Sequence, residues 1–145
     1  AYSFLLDLTS YALYHPKLTS PRVTLAKNYI DTHFYNVSLN LDEISDAVGL
    51  SKYHLCREFT HLYGTSPGKY LTNLRIQKSC ILLLQNRYHT IGDIASMVGF
   101  SNDNYFCKVF RKSLGITPTQ YRIQNQNYDL VRVLHDSHPC VPSDK

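Results

Sequence analysis

Two stretches of the chain carry the same apolar rhythm. Residues 41–51 read L-D-E-I-S-D-A-V-G-L-S and residues 91–101 read I-G-D-I-A-S-M-V-G-F-S, an offset of 50. Further on, Leu55-Cys56-Arg57-Glu58-Phe59 aligns with Phe106-Cys107-Lys108-Val109-Phe110, and Gly64-x-x-Pro67-x-x-Tyr70 aligns with Gly115-x-x-Pro118-x-x-Tyr121. There the offset is 51, so the second copy holds one extra residue just after Ser101. A unit of about 30 residues has been used twice, and such a repeat organises everything else in the chain.

Each copy spells two helices around a tight turn. Asn40 with Glu43, and Thr90 with Asp93, place a capping side chain before the helix and a carboxylate at its third position. Ile44, Ala47 and Val48, like Ile94, Met97 and Val98, follow the i, i+3, i+4 spacing of a short helix with one buried face. Gly49 and Gly99 then end these helices, where a left-handed backbone suits glycine best. Ser51 and Ser101 stand ready to cap the next helix. Ser45 and Ala95, four residues before each glycine, are small, as a close helix crossing requires. Short helix, glycine turn, second helix is the grammar of a helix-turn-helix.

The second helices offer Leu55, Phe59 and Leu62, and Phe106, Val109 and Phe110, for burial. Ser66-Pro67 and Thr117-Pro118 start further helices by cap plus proline. The first opens a connector over residues 67–86, with Leu71, Leu74, Cys80, Ile81 and Leu84 available to a core. Its twenty residues would span about 30 Å, near the roughly 34 Å between successive major-groove faces of a duplex. Upstream, Ser20-Pro21 starts a helix reaching about Phe34, with Leu25, Ala26, Tyr29 and Ile30 inward. The expected fold is all-α: two helix-turn-helix subdomains joined by a long connector helix. The divisions are 1–21 as a linker or the end of a preceding region, 22–66, the connector 67–86, 87–124, and a tail over 125–145.

Composition adds limits. The longest unbroken apolar run, Cys80 to Leu84, is far too short for a membrane-spanning helix. The N-terminus has no basic-then-apolar signal segment, and the expectation is a cytoplasmic protein. The four cysteines form no CxxC pair and read as reduced thiols. His135-x-x-His138-x-Cys140 lacks a second pair to close a tetrahedral site, so no metal or other cofactor is expected.

The net charge of +4 matters less than its placement. Residues 22–50 set Arg22 and Lys27 against Asp31, Asp42, Glu43 and Asp46. Residues 65–90 hold Lys69, Arg75, Lys78 and Arg87 and no acid, and 101–114 hold Lys108, Arg111 and Lys112 against Asp103. That pattern suits a basic surface aimed at a polyanion, although a solvated basic face is the commoner cause.

The segment from Ile91 to Arg122 resembles the DNA-binding domain of the AraC/XylS family of bacterial transcription regulators. It follows the family's I-x-x-I-A-x-x-V-G-F, then Y-F, F-K/R-K, G and P-x-x-Y-R. The first unit and Tyr70-Leu-x-x-Leu-Arg75 resemble it as well, so the likeness covers roughly 22–124. The resemblance implies a sequence-specific binder of double-stranded DNA that regulates transcription, more often as an activator, through two recognition helices in adjacent major-groove segments. It implies RNA polymerase as a partner and places any dimerisation in an N-terminal domain outside this chain, which begins at Ala1.

The resemblance puts base contacts at Tyr53, Cys56 and Arg57 in the first recognition helix. The matching positions of the second are Asp103, Asn104, Tyr105, Cys107 and Lys108. Arg57 suits guanine, because a guanidinium grips O6 and N7 together, and Asn104 suits adenine. Cys56 departs from the usual polar residue and is left a thymine methyl to touch. Asp103 is unfavourable near phosphate and keeps two roles, capping the helix or accepting from cytosine N4. Tyr53 and Tyr105 have packing as a competing role. Lys52, His61, Arg111 and Lys112 are assigned to phosphates, while Arg75 is set against the connector's core. Ser66-Pro67 and Thr117-Pro118 serve phosphate binding or capping equally well.

No nucleophile elbow, phosphate-binding loop or H-E-x-x-H supports an enzyme. The remaining alternative is a helical protein-interaction module that keeps the fold without touching DNA. Acid on the reading face would favour it, and Glu58 and Asp103 are the acids there. Phe4, Leu5, Leu8, Tyr11 and Ala12 suggest a short amphipathic helix, and Tyr128 to Leu134 one or two helical turns.

Overall fold

The computed structural model describes residues 20–126; the amphipathic stretch from Phe4 to Ala12, the turns from Tyr128 to Leu134 and the His135-to-Cys140 motif lie outside them. Among the described residues every regular element is a helix. They are α1 (Pro21–His33), α2 (Leu41–Val48), α3 (Lys52–Tyr63), α4 (Pro67–Gln85), α5 (Ile91–Met97) and α6 (Asp103–Leu114), followed by α7 over 118–126. Within that span the chain divides into two compact units. One comprises 20–34 and 38–72, the other 35–37 and 73–126.

In the first unit α1 packs on α2 and α3, and α2 on α3. Val23, Ala26 and Ile30 of α1 meet a core that also takes Ile44, Leu55 and Phe59. The caps foreseen from the sequence form: the Asn40 side chain accepts from Glu43 N at 3.0 Å and the Ser51 hydroxyl from His54 N at 3.2 Å. Glu43 does not close the box back onto Asn40; its carboxylate accepts the Tyr29 hydroxyl at 3.1 Å. Gly49 turns the chain at φ 66°, and Arg22 of α1 donates to its carbonyl at 2.8 Å. Tyr70 donates to Asp31 at 2.6 Å, and Lys27 pairs with the other oxygen at 2.7 Å.

The second unit repeats the plan. Its core gathers Ile76, Leu83, Ile94, Ala95, Val98, Phe100, Phe106 and Phe110. Phe110 meets Tyr121 edge-on at 5.6 Å, as Phe59 meets Tyr70 at 5.5 Å one repeat earlier. Thr90 and Asp93 form the full capping box. Arg75 donates to the Asn36 carbonyl at 2.8 Å and lies 5.8 Å from the Phe100 ring, a structural place.

The sequence reading is corrected at several positions. Leu25, Ala47, Leu62, Ile81, Leu84 and Met97 are exposed. Ile76, Ser79 and Leu83 take inner positions instead, while Ser45 is buried, in keeping with the close helix crossing expected there. The helix period is right and its phase is off, because a neighbouring element decides which edge of an apolar stripe is covered. The two inner serines satisfy their hydroxyls within their own helices, Ser45 on the Asp42 carbonyl and Ser79 on the Ile76 carbonyl. Asn102, not Ser101 or Asp103, caps α6, accepting from Tyr105 N at 2.9 Å. The extra residue of the second repeat moves the helix start on by one.

Candidate nucleic-acid interface

Helix α3 buries Leu55 and Phe59. At 3.6 residues per turn this turns Tyr53, Arg57, Thr60 and His61 toward solvent, and all four are exposed, Tyr53 at 73%. Together with half-buried Cys56 and Glu58 they line one shallow hollow. Lys52, expected at a phosphate, and its neighbour His54 each meet an acid. Lys52, the first residue of α3, forms an ion pair with Asp42 of α2. His54 lies 3.7 Å from the Glu58 carboxylate, an ion pair when the imidazole is protonated.

Helix α6 buries Phe106 and Phe110 and leaves Asp103, Asn104, Tyr105, Lys108, Arg111 and Lys112 exposed. Cys107, Lys108, Arg111 and Lys112 line a second hollow, closed by Thr117 from the start of α7. The sequence left Thr117 between phosphate binding and capping. Its cap-plus-proline position was the only signal, and here it forms a reciprocal box with Gln120. Tyr105 stays exposed while its ring lies 6.0 Å from Phe100, so packing and exposure are combined in one side chain. Burial first, and the Asp103 carboxylate second, push the Cys107 thiol up, which favours the neutral thiol.

The junction between the two helices of each motif differs in charge. In the first unit Asp42, second residue of α2, meets Lys52, first residue of α3. The corresponding pair in the second unit is Gly92 and Asp103. A Cβ on Gly92 would lie 3.1 Å from the Asp103 Oδ2, so the carboxylate occupies the space a side chain there would need. Asp103 therefore leans on the first turn of α5 while it opens α6.

Among the described residues no group of three His, Cys, Asp or Glu side chains could hold a metal ion. No described helix is long and apolar enough to cross a membrane.

Comparison with known proteins agrees with this geometry. The model of the helix-turn-helix domain family matches residues 44–124. The chain is 32% identical over 108 residues to the HTH-type transcriptional regulator YdeC of Bacillus subtilis (strain 168), a match covering 74% of this chain and 36% of that protein. The chain thus spans little more than a third of that relative's length. Among solved structures, the C-terminal domain of AraT, a response regulator from Geobacillus stearothermophilus, superposes with a TM-score of 0.70 at 34% identity, over 73% of this chain and 87% of that one. An AraC-type DNA-binding domain-containing regulator from Chromobacterium violaceum gives a TM-score of 0.64 at 33% identity, over 72% and 91%.

Proposed function

The chain belongs to the AraC-type helix-turn-helix family, and from that premise we propose that it binds double-stranded DNA sequence-specifically to activate transcription. In this reading α3 and α6 each enter a major-groove segment of one asymmetric site. The observation that carries it is the exposed face of each second helix, where Arg57 and His61 in one, and Lys108, Arg111 and Lys112 in the other, stand clear of the core.

Arg57 is the guanine reader and Asn104 the adenine reader. Tyr53, Cys56, Tyr105, Cys107 and Lys108 complete the base-edge surface, and Asp103 is placed to accept from a cytosine amino group. His61, Arg111 and Lys112 hold phosphates, which fix register without reading sequence. Lys52 joins them on exchanging Asp42 for a phosphate. The working parts are the subdomains 22–66 and 87–124 with the connector 67–86 between them. No catalytic step is assigned to the chain. RNA polymerase is the partner of an activator, any dimerisation is assigned to an N-terminal domain outside this chain, and the cytoplasm is the compartment.

Titration of the 145-residue chain into a mixed-sequence duplex at low salt tests the reading at its base. Binding that falls steeply with salt supports it. An absence of binding would leave the helical interaction module as the function, with Glu58 in the first hollow as its acidic contact.

A further inference from the structure

The loop between α4 and α5 presents Arg87, Tyr88 and His89 to solvent, Tyr88 with its side chain 100% exposed. It is held from beneath. Arg122 donates to the His89 carbonyl at 2.9 Å and reaches the Asn86 carbonyl at 3.5 Å, so one guanidinium spans both ends of the turn. Asn86 N closes α4 on Leu82 O at 2.9 Å, and the Thr90–Asp93 box opens α5 on the other side. Arg87 and Tyr88 thus stand on a fixed base.

The loop leads directly into the first turn of α5, where the Asp103 carboxylate at the start of α6 lies 3.1 Å from where a Cβ on Gly92 would stand. It therefore flanks the N-terminal end of the second recognition helix. A helix lying in a major groove has a sugar-phosphate strand passing beside that end. Charge agrees with the place. Residues 65–90 contain no acid, and the next carboxylate, Asp93, accepts the Thr90 N–H at 2.8 Å. The corresponding turn of the first repeat, Asn36-Val37-Ser38-Leu39 at the offset of 50, carries no charge, so the turn itself does not require Arg87 or His89.

We infer that the α4–α5 loop is a DNA-backbone contact of the second unit, with Arg87 donating to a phosphate oxygen and Tyr88 lying along the sugar-phosphate edge. The inference rests on the DNA-binding reading above. It enlarges the interface beyond the recognition helices and makes the second unit the stronger electrostatic anchor.

Arg87→Ala and Arg87→Lys in the 145-residue chain, titrated against a selected duplex and a random one across salt, test it. Arg87→Ala should weaken both duplexes by the same factor and reduce the slope of log affinity against log salt by about 1. Between about 50 and about 200 mM salt, wild type should then lose about 3.5-fold more affinity than the variant. Arg87→Lys should keep the wild-type slope, and Tyr88→Ala should weaken binding with the slope unchanged. Circular dichroism and thermal melts of each variant should match wild type, since the changed side chains are exposed. Should wild type bind while Arg87→Ala leaves affinity and slope unaltered, the loop contact is wrong and the DNA reading stands. A loss confined to one base position would overturn it too, because that is base reading. Failure of wild type to bind any duplex would overturn both.

Discussion

Arg57 and Lys112 carry the same charge and are given different work. Arg57 lies in the α3 hollow with Tyr53, Cys56 and Thr60, where a planar fork can meet a base edge. Lys112 sits in the last turn of α6 beside Arg111. Arg57→Ala should cost about 1–3 kcal/mol on a selected site and relax one base position, whereas Lys112→Ala should weaken all sequences alike and flatten the salt dependence. Competition titrations against singly substituted duplexes separate the two. Equal losses on selected and random DNA for Arg57→Ala would remove its reading role. At this scale the sequence was only partly legible. It identified Arg57, Lys108 and Arg111 as surface residues, because the core positions around them were clear. It could not foresee that Lys52 meets Asp42 or that Asp103 leans on Gly92, since both contacts depend on how two helices cross. Nor could it find Ser79 inside, because an apolar pattern does not see a hydroxyl that bonds its own helix.

At the scale of elements, helix starts were the most legible feature, because caps are local chemistry. Asn40, Ser51 and Thr90 cap as expected, and the one displaced cap, Asn102, follows the inserted residue. Thr90→Ala should destabilise the second unit by about 1 kcal/mol, measurable by denaturant titration. The same box predicts a pH dependence. Hydrogen bonding from Thr90, side chain first and then backbone, holds the Asp93 carboxyl below its ordinary 3.8. A depressed carboxyl stabilises the fold above its unfolded value, and the stabilisation fades as pH falls through the lower folded value. Melting temperatures of wild type should therefore drop below pH 3.8, and those of Thr90→Ala should drop less. Helix faces were harder to read than helix ends. In α4 the expected Ile81 and Leu84 are exposed while Ile76 and Leu83 are buried. A shift of one or two positions in phase leaves the apolar count unchanged and is decided by what packs opposite.

The whole molecule is one motif used twice, with charge distributed unequally between the copies. The shared part is the core: Phe59 with Tyr70 and Phe110 with Tyr121 hold the same edge-on contact in each unit. Phe110→Ala should accordingly cost about 3–5 kcal/mol, read from denaturant unfolding of the second unit, and Phe59→Ala should cost about the same in the first. The unshared part is electrostatic. The first unit balances its bases with Asp31, Asp42, Glu43 and Asp46, while Lys108, Arg111, Lys112 and Arg87 gather in the second. The repeat and this imbalance were plain in the sequence, since both need only counting and alignment. The hollows on α3 and α6 were legible as faces but not as shapes, because a helical pattern does not show that Glu58 walls the first or that Thr117, from the next element, closes the second.

The central claim is that two helices read one DNA site. Selection from a random duplex library, followed by titration of the winning and a scrambled sequence at two salt concentrations, tests it most directly. The account predicts a motif with two half-sites about one helical turn apart, bound at least about 10³-fold more tightly than random DNA. A steep salt slope with no sequence preference, or no binding at low salt, would contradict it.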